Sequence, residues 1–308
     1  MGLSPTDGRS GLGPTSGLSP NAVELTTEQA WFLADRLGAG NFPWVLAITQ
    51  PYSDPADKRD FDAEQTAGLT QLGVLAADGA VNPAVAQWIR TVCRPRRWLE
   101  LRWVADGGAL LRGLLARGSD GSTVIALRSE HLMTCTELSL GYPEALVSVV
   151  TAGLSGRAPA QFAEFALPAH IGARADERLR SGEALDDVMD YLGIARSAHQ
   201  VIRAAFAPQR RYVEIVAGDH RDGHRVCTDV GVSVVDTTAG RILVRPAKAS
   251  DGTWISTFGP GTDLAISAAL QRLTAALPDG SWFPDSNLTR DFDTFNMERK
   301  NDVPEHIR

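Results

Sequence analysis

Along the chain the spacing of apolar residues switches between two periods, and the switches mark out the elements. After Leu25, Thr26 and Gln29 stand at capping-box spacing, and Ala30, Leu33, Ala34 and Leu37 follow at i, i+3, i+4 and i+7. That pattern predicts an amphipathic helix, with Gly38 where a left-handed C-cap belongs. A second helix of the same build is predicted from Ser181, carrying Leu185, Val188, Met189 and Leu192 on one face and stopping at Gly193. Elsewhere apolar and polar residues alternate. Strands are predicted over 97–104, 109–116, 122–129 and 131–138, and again over 211–217, 227–236, 241–247 and 252–258. Their separators are turn sequences: Asp106-Gly107-Gly108, Asp120-Gly121, Asp222-Gly223, Ala239-Gly240 and Asp251-Gly252. Connections this short force antiparallel neighbours, so each set reads as a meander. A helix follows each one. Pro143 opens the first, with Leu146, Val150 and Leu154 on its face, and Thr262 caps the second, with Ile266, Leu270, Leu273 and Leu277.

The two sets share more than their order. Ile89-Arg90, four residues, Pro95 and Arg96-Arg97-Trp98-Leu99-Glu100-Leu101 form one segment. Ile202-Arg203, four residues, Pro208, an extra Gln209 and Arg210-Arg211-Tyr212-Val213-Glu214-Ile215 form the other. Upstream, Leu72-Gly73-Val74 is answered by Leu192-Gly193-Ile194. An internal duplication is expected, with two copies of helices, meander and helix related by a pseudo-two-fold. The expected fold class is α+β: a twisted central antiparallel β-sheet with helices grouped at its ends or on one face. Residues 1–20, rich in Gly, Ser, Pro and Thr and without a hydrophobic stretch, read as a disordered leader. Residues 21–285 read as one α+β domain built of halves at 21–165 and 170–285, and residues 286–308 as a flexible polar tail.

Composition narrows the partners. A net charge of −7 argues against nucleic acid, because phosphate binding needs a basic face, and the dense Arg94, Arg96 and Arg97 suit a solvated strand entrance. Three scattered cysteines, Cys93, Cys135 and Cys227, fit a reducing compartment better than a disulfide framework. No apolar run approaches the roughly 18 residues that span a bilayer, so a cytoplasmic protein without membrane insertion is expected.

Catalytic chemistry has little support. Asp219-His220-Arg221-Asp222-Gly223-His224 is the best metal candidate, but zinc needs three or four converging ligands and no other Cys or His pair supplies them. The same residues suit a hairpin tip whose histidines face water. A nucleophile elbow is missing, since Gly231-Val232-Ser233-Val234-Val235 lacks the second glycine and Ser155 is followed at once by Gly156. Neither a P-loop nor a dinucleotide fingerprint occurs, and Asp186-Asp187 falls on a helix where it faces solvent. The expectation is a binding protein without a cofactor, and a metal-dependent hydrolase using His220 and His224 is the alternative. The strands supply a candidate surface. Val213, Ile215 and Ala217 share one face of their strand, while Tyr212, Glu214 and Val216 share the other. In 227–236, Asp229, Gly231, Ser233 and Val235 oppose Thr228, Val230, Val232 and Val234. The mixed face, with Tyr212, Glu214, Val216, Asp229, Gly231 and Ser233 as candidate partner-binding residues, suits plain solvent-facing sheet and a protein-binding sheet equally.

Several longer stretches resemble the EspG family of type VII (ESX) secretion-associated chaperones, most of all the member encoded with the third ESX system. They are Asn21 to Thr49, Val81 to Cys93, Gly172 to Gly182, Arg210 to Gly218, Thr257 to Thr262 and Leu277 to Pro284. The resemblance implies a cytosolic chaperone that binds PE–PPE heterodimers, 1:1:1, at the exposed hydrophobic tip of the PPE subunit, with only transient contact with the secretion machinery. It also implies a central sheet with two helical bundles, and Glu214 and Ser233 match partner-contact positions of the family. The chain departs from the family in its long leader and in a short turn near Gly118. None of Tyr52, Tyr142, Tyr191 and Tyr212 is followed four residues later by Asp or Glu, and Trp-x-Gly does not occur, so the chain lacks the secretion signal such systems read.

Overall fold

Alternation places all eight predicted strand regions in one antiparallel sheet of eleven strands among the described residues. The computed structural model describes residues 21–221, 223–278, 280, 282 and 283; the leader and tail expected at the two ends lie outside the described residues. In chain order the elements are β1 (Ala22–Thr26), α1 (Thr27–Arg36), α2 (Lys58–Gln71), α3 (Pro83–Cys93), β2 (Arg97–Val104), β3 (Leu110–Arg117), β4 (Thr123–Ser129), β5 (Leu132–Leu138) and α4 (Glu144–Thr151). There follow β6 (Phe165–Pro168), α5 (Ala169–Arg180), α6 (Leu185–Tyr191), α7 (Arg196–Phe206), β7 (Arg211–Arg221), β8 (His224–Cys227), β9 (Val232–Thr237), β10 (Gly240–Lys248), β11 (Trp254–Pro260) and α8 (Asp263–Ala275). The sheet runs β1-β5-β4-β3-β2-β7-β9-β10-β11-β6, with β8 also on β7. Outward from the central pair β2 and β7, the sequence is β3, β4, β5, β1 one way and β9, β10, β11, β6 the other. At the centre Leu101 lies opposite Ile215, and these two residues hold equal places in the related segments.

One face of the sheet is closed by α4 and α8, which pack on each other and on Leu99, Leu101, Trp103, Val213, Ile215 and Val234. Trp103 is fixed there by an indole hydrogen bond to the carbonyl of Val150 at 2.8 Å, which satisfies its buried N–H. The other face carries two separate groups of helices. α1, α2 and α3 cover β3, β4 and β5 over a core that includes Leu33, Leu69, Trp88, Val92, Leu114 and Met133. α5, α6 and α7 lie over the far strands, where Val201 meets Ile242. The middle of this face, over β2 and β7 and the near edge of β9, is left open.

Local chemistry accounts for the ends of the elements. Thr26 Oγ1 accepts from the Gln29 amide at 3.1 Å, and Gln29 Oε1 accepts from the Thr26 amide at 2.9 Å, which completes the capping box before α1. Asn82 caps α3 ahead of Pro83, and Thr262 caps α8 as expected. Trp98 lies flat against its register partner Gly218, where an added Cβ would stand 2.1 Å from the ring.

Two expected elements differ. Ser181 does not start a helix; it ends α5, its amide still bonded to the carbonyl of Glu177, and α6 begins only at Leu185 without a side-chain cap. The strand expected over 227–236 is two strands. Between them Thr228 turns its hydroxyl onto the Val230 carbonyl at 2.8 Å and receives the Ala217 amide at 3.3 Å, so residues 228–231 leave the ladder.

Candidate functional site

The open strip is built by register. Crossing the sheet along one row on this face are Arg128 of β4, Arg112 of β3, Arg102 of β2, Glu214 of β7, Ser233 of β9 and Val244 of β10. Tyr212 and Val216 lie one row to either side on β7, so alternation alone identified four of the six candidate residues as neighbours on one face. The other two sit differently. Asp229 and Gly231 belong to the 228–231 excursion, at its exposed edge and not on the flat sheet. Gly231 is needed there, because a Cβ would come within 2.8 Å of the Ile215 carbonyl oxygen.

Glu214 is exposed, and its side chain makes no hydrogen bond or ion pair among the described residues. Its register partner Arg102 is already engaged, bonding Glu100 Oε2 at 3.3 Å along its own strand. The strip thus presents a free carboxylate between a hydroxyl and a half-exposed guanidinium. On the next row, the Arg210 guanidinium stands 5.7 Å from the Tyr212 ring centre.

Each side of the strip has its own border. Toward α1–α3 lies a 3₁₀ turn, Trp44–Leu46. Arg112 reaches the Val45 carbonyl at 3.4 Å, and Arg128 reaches the carbonyls of Leu46, at 2.7 Å, and Ala47. Burial and the neighbouring Arg112 charge push the Arg128 guanidinium below its ordinary value. Trp44, at the head of the turn, is 82% exposed. Toward α5–α7 the strip runs into an apolar cavity of ≈ 230 Å³, lined by Phe165, Leu179, Met189, Phe206, Val244 and Phe258 among others. Val244 is the register partner of Ser233, and Val235, also on the wall, is that of Tyr212. The strip and the cavity wall thus share two register pairs. Periodicity could not find Trp44, because a lone tryptophan on a turn has no period. The arginine row was written in the alternation of β2, β3 and β4 and becomes a row only once the register is known.

The hairpin geometry does not bring His220 and His224 together. His224 pairs with residue 221 across β7 and β8, and His220 pairs with Arg225, so the two histidines point to opposite faces of the ribbon. Among the described residues no group of three or more His, Cys, Asp or Glu side chains converges on a point. The buried cysteines are poor nucleophiles: burial pushes the thiols of Cys93 and Cys135 up to about 12. Arranged this way, the site can hold a protein surface with one charged contact and an adjoining apolar one.

Comparison with known proteins agrees in sequence and in fold. Residues 26–272 match the sequence profile of the EspG family. The ESX-3 secretion-associated protein EspG3 of Mycolicibacterium smegmatis is 60% identical over 90% of this chain and 94% of its own length. EspG3 of Mycobacterium tuberculosis is 53% identical over 90% of this chain and 98% of its own. Among solved structures, the type VII secretion system chaperone EspG5 of Mycobacterium tuberculosis, determined in complex with a PE25–PPE41 dimer, superposes with a TM-score of 0.71. It is 19% identical, and the match covers 85% of this chain and 99% of that one. With the profile spanning most of the described residues and relatives this similar over nearly their whole length, the chain belongs to the EspG family.

Proposed function

We propose that the chain is a cytoplasmic chaperone of type VII secretion that holds a PE–PPE heterodimer through the PPE subunit, with the open sheet strip as its seat. The observation that carries this reading is the join between the unpaired Glu214 carboxylate and the apolar cavity beneath α5–α7. An exposed apolar tip of a few hundred Å² on a client is an aggregation liability until it is covered. A seat with an apolar recess and one charged contact covers it and orients it. Covering a standard patch of roughly 800 Å² per partner needs shape and charge complementarity and neither a nucleotide nor a reaction. Release then comes from competition at the secretion machinery. Among the described residues no helix is long and apolar enough to cross a membrane.

The duplication is part of the same reading. Residues 21–285 form one domain of two related halves, each half a sheet with its own helical bundle, set about a pseudo-two-fold axis. The matching strand order outward from β2 and β7 supports it, as does the meeting of Leu101 and Ile215. The axis then passes through the strip itself, so a client on the strip touches both halves.

The test is co-expression with PE–PPE pairs from ESX loci, followed by size-exclusion chromatography with light scattering. A co-eluting 1:1:1 complex is expected with at least one pair. Elution of every client pair alone would sink the chaperone reading.

A further inference from the structure

On the N-terminal side of the strip, Trp44 is the least covered large apolar side chain among the described residues. A single exposed apolar residue is unremarkable by itself. What distinguishes Trp44 is its mounting and its surroundings. The turn that carries it is tied down by guanidinium bonds from two strands, Arg112 to Val45 and Arg128 to Leu46 and Ala47. Charge-assisted bonds to carbonyls are among the stronger hydrogen bonds, and these fill the end of the turn, where the carbonyls lack other donors. Ala47 closes the turn with φ at +49°, a conformation alanine adopts only when its surroundings hold it there. The indole is therefore presented from a fixed backbone and loses little conformational freedom when something packs on it.

The other exposed apolar groups near the strip point the same way. Leu110 lies on the same sheet face as Tyr212, two strands across through Val104, and is 38% exposed. Phe206, at the end of α7, is 51% exposed on the rim of the cavity. Leu110 and the turn of Trp44 lie on the β3 side of Glu214, and Phe206 lies on the cavity side. Exposed apolar side chains on both sides of one free carboxylate match a protein interface better than they match sheet left in water.

We propose that Trp44 is an anchor of the client interface, so that the client is gripped from both halves: by the cavity beneath α5–α7 and by the pinned indole across the strip. This rests on the chaperone reading above. It also gives the client's chemistry. The fitting partner is a tip of the PPE subunit that lays an apolar side chain on the indole and brings a lysine or arginine to Glu214.

The test titrates a PE–PPE dimer that binds the wild-type chain against Trp44→Ala, Trp44→Phe and the control Leu264→Ala, with thermal melts of each. Leu264 is 79% exposed on α8, on the opposite side of the sheet. Trp44→Ala is expected to weaken binding at least ten-fold, Trp44→Phe to recover part of the loss, and Leu264→Ala to bind as wild type, all with unchanged melting. Wild-type affinity in Trp44→Ala overturns the anchor while leaving the chaperone reading in place. Loss of affinity in Trp44→Ala equalled by Leu264→Ala, or matched by a lowered melting point, also overturns it. If no PE–PPE dimer binds the wild-type chain, both proposals fall together.

Discussion

The two groups of helices on the same face of the sheet are packed very differently. Under α1–α3, Leu33, Leu69, Ile89 and Val92 are sealed from solvent, and Trp31, Phe32, Tyr52 and Phe61 form a network of edge-on and tilted rings beside them. Under α5–α7 the buried apolar side chains are fewer, among them Ala160, Val188, Met189, Ala198, Val201 and Ile242, and the cavity opens beside them. The cause is written in the helices. α3 is apolar along seven of its residues, whereas α5 carries Gly172, three arginines and two acids in twelve and has no buried side chain among its described residues. α6 is only seven residues long. The lesson is that one cover gives the sheet its stability while the other is kept loose enough to admit something, and regions of low local stability are where proteins place what must adapt.

The comparison can be broken first by truncation. Leu33→Ala should cost about 3 kcal/mol in urea unfolding, because a sealed site leaves a cavity that cannot collapse. Leu192→Ala, half-buried on the wall of the existing void, should cost under about 1.5 kcal/mol. Equal costs would remove the distinction. Next comes alkaline pH, because both buried thiols, Cys93 and Cys135, belong to the tight side. Their folded values of about 12 lie above the ordinary cysteine value near 8.5. Below pH 8.5 both states keep the proton. Above it the unfolded chain loses the proton while the folded chain holds it, so stability falls by about 1.4 kcal/mol per pH unit for each thiol. Urea midpoints between pH 8.5 and 10 should drop more steeply in the wild type than in a Cys93→Ala, Cys135→Ala double variant. The seam between the two covers is tested by Glu214→Arg, expected to weaken PE–PPE binding at least ten-fold by calorimetry without moving the melting point, since the residue is exposed and unpaired. The smallest effect is a gain. Ala205→Leu, pointed into the void, should add roughly 1 kcal/mol and slow amide exchange in α5–α7.

Much of this was legible in the residues, and the failures have identifiable physics. The bounds of β2 are legible because Arg97–Val104 is rich in aromatic and apolar residues interleaved with Glu100 and Arg102 and is framed by Pro95 and Asp106-Gly107. The region 227–236 misled because its apolar alternation continues through 228–231 while the Thr228 hydroxyl takes over the backbone bonds there. Ser181 reads as an N-cap from its type, yet its hydroxyl donates to the Arg178 carbonyl at 2.7 Å and closes the preceding helix. α2 showed no stripe to find, since only Gln65 and Leu69 are buried along its fourteen residues. In the candidate site, Tyr212, Glu214, Val216 and Ser233 followed from period two, whereas the cavity and Trp44 depend on long-range packing that no local pattern carries.

The central pairing of β2 with β7 has a further consequence, for the birth of the molecule. The first meander is complete by Leu138, but the strand that covers the edge of β2 begins only at Arg211. Translation at roughly 5–20 residues per second separates the two events by several seconds. During that interval the nascent first half carries a bare strand edge, the kind of surface on which chains aggregate. Arg97, Glu100 and Arg102, spaced along β2, set charges beside that edge, the means by which sheet proteins blunt bare edges. The chain thus spends part of its own synthesis with a sticky edge to guard.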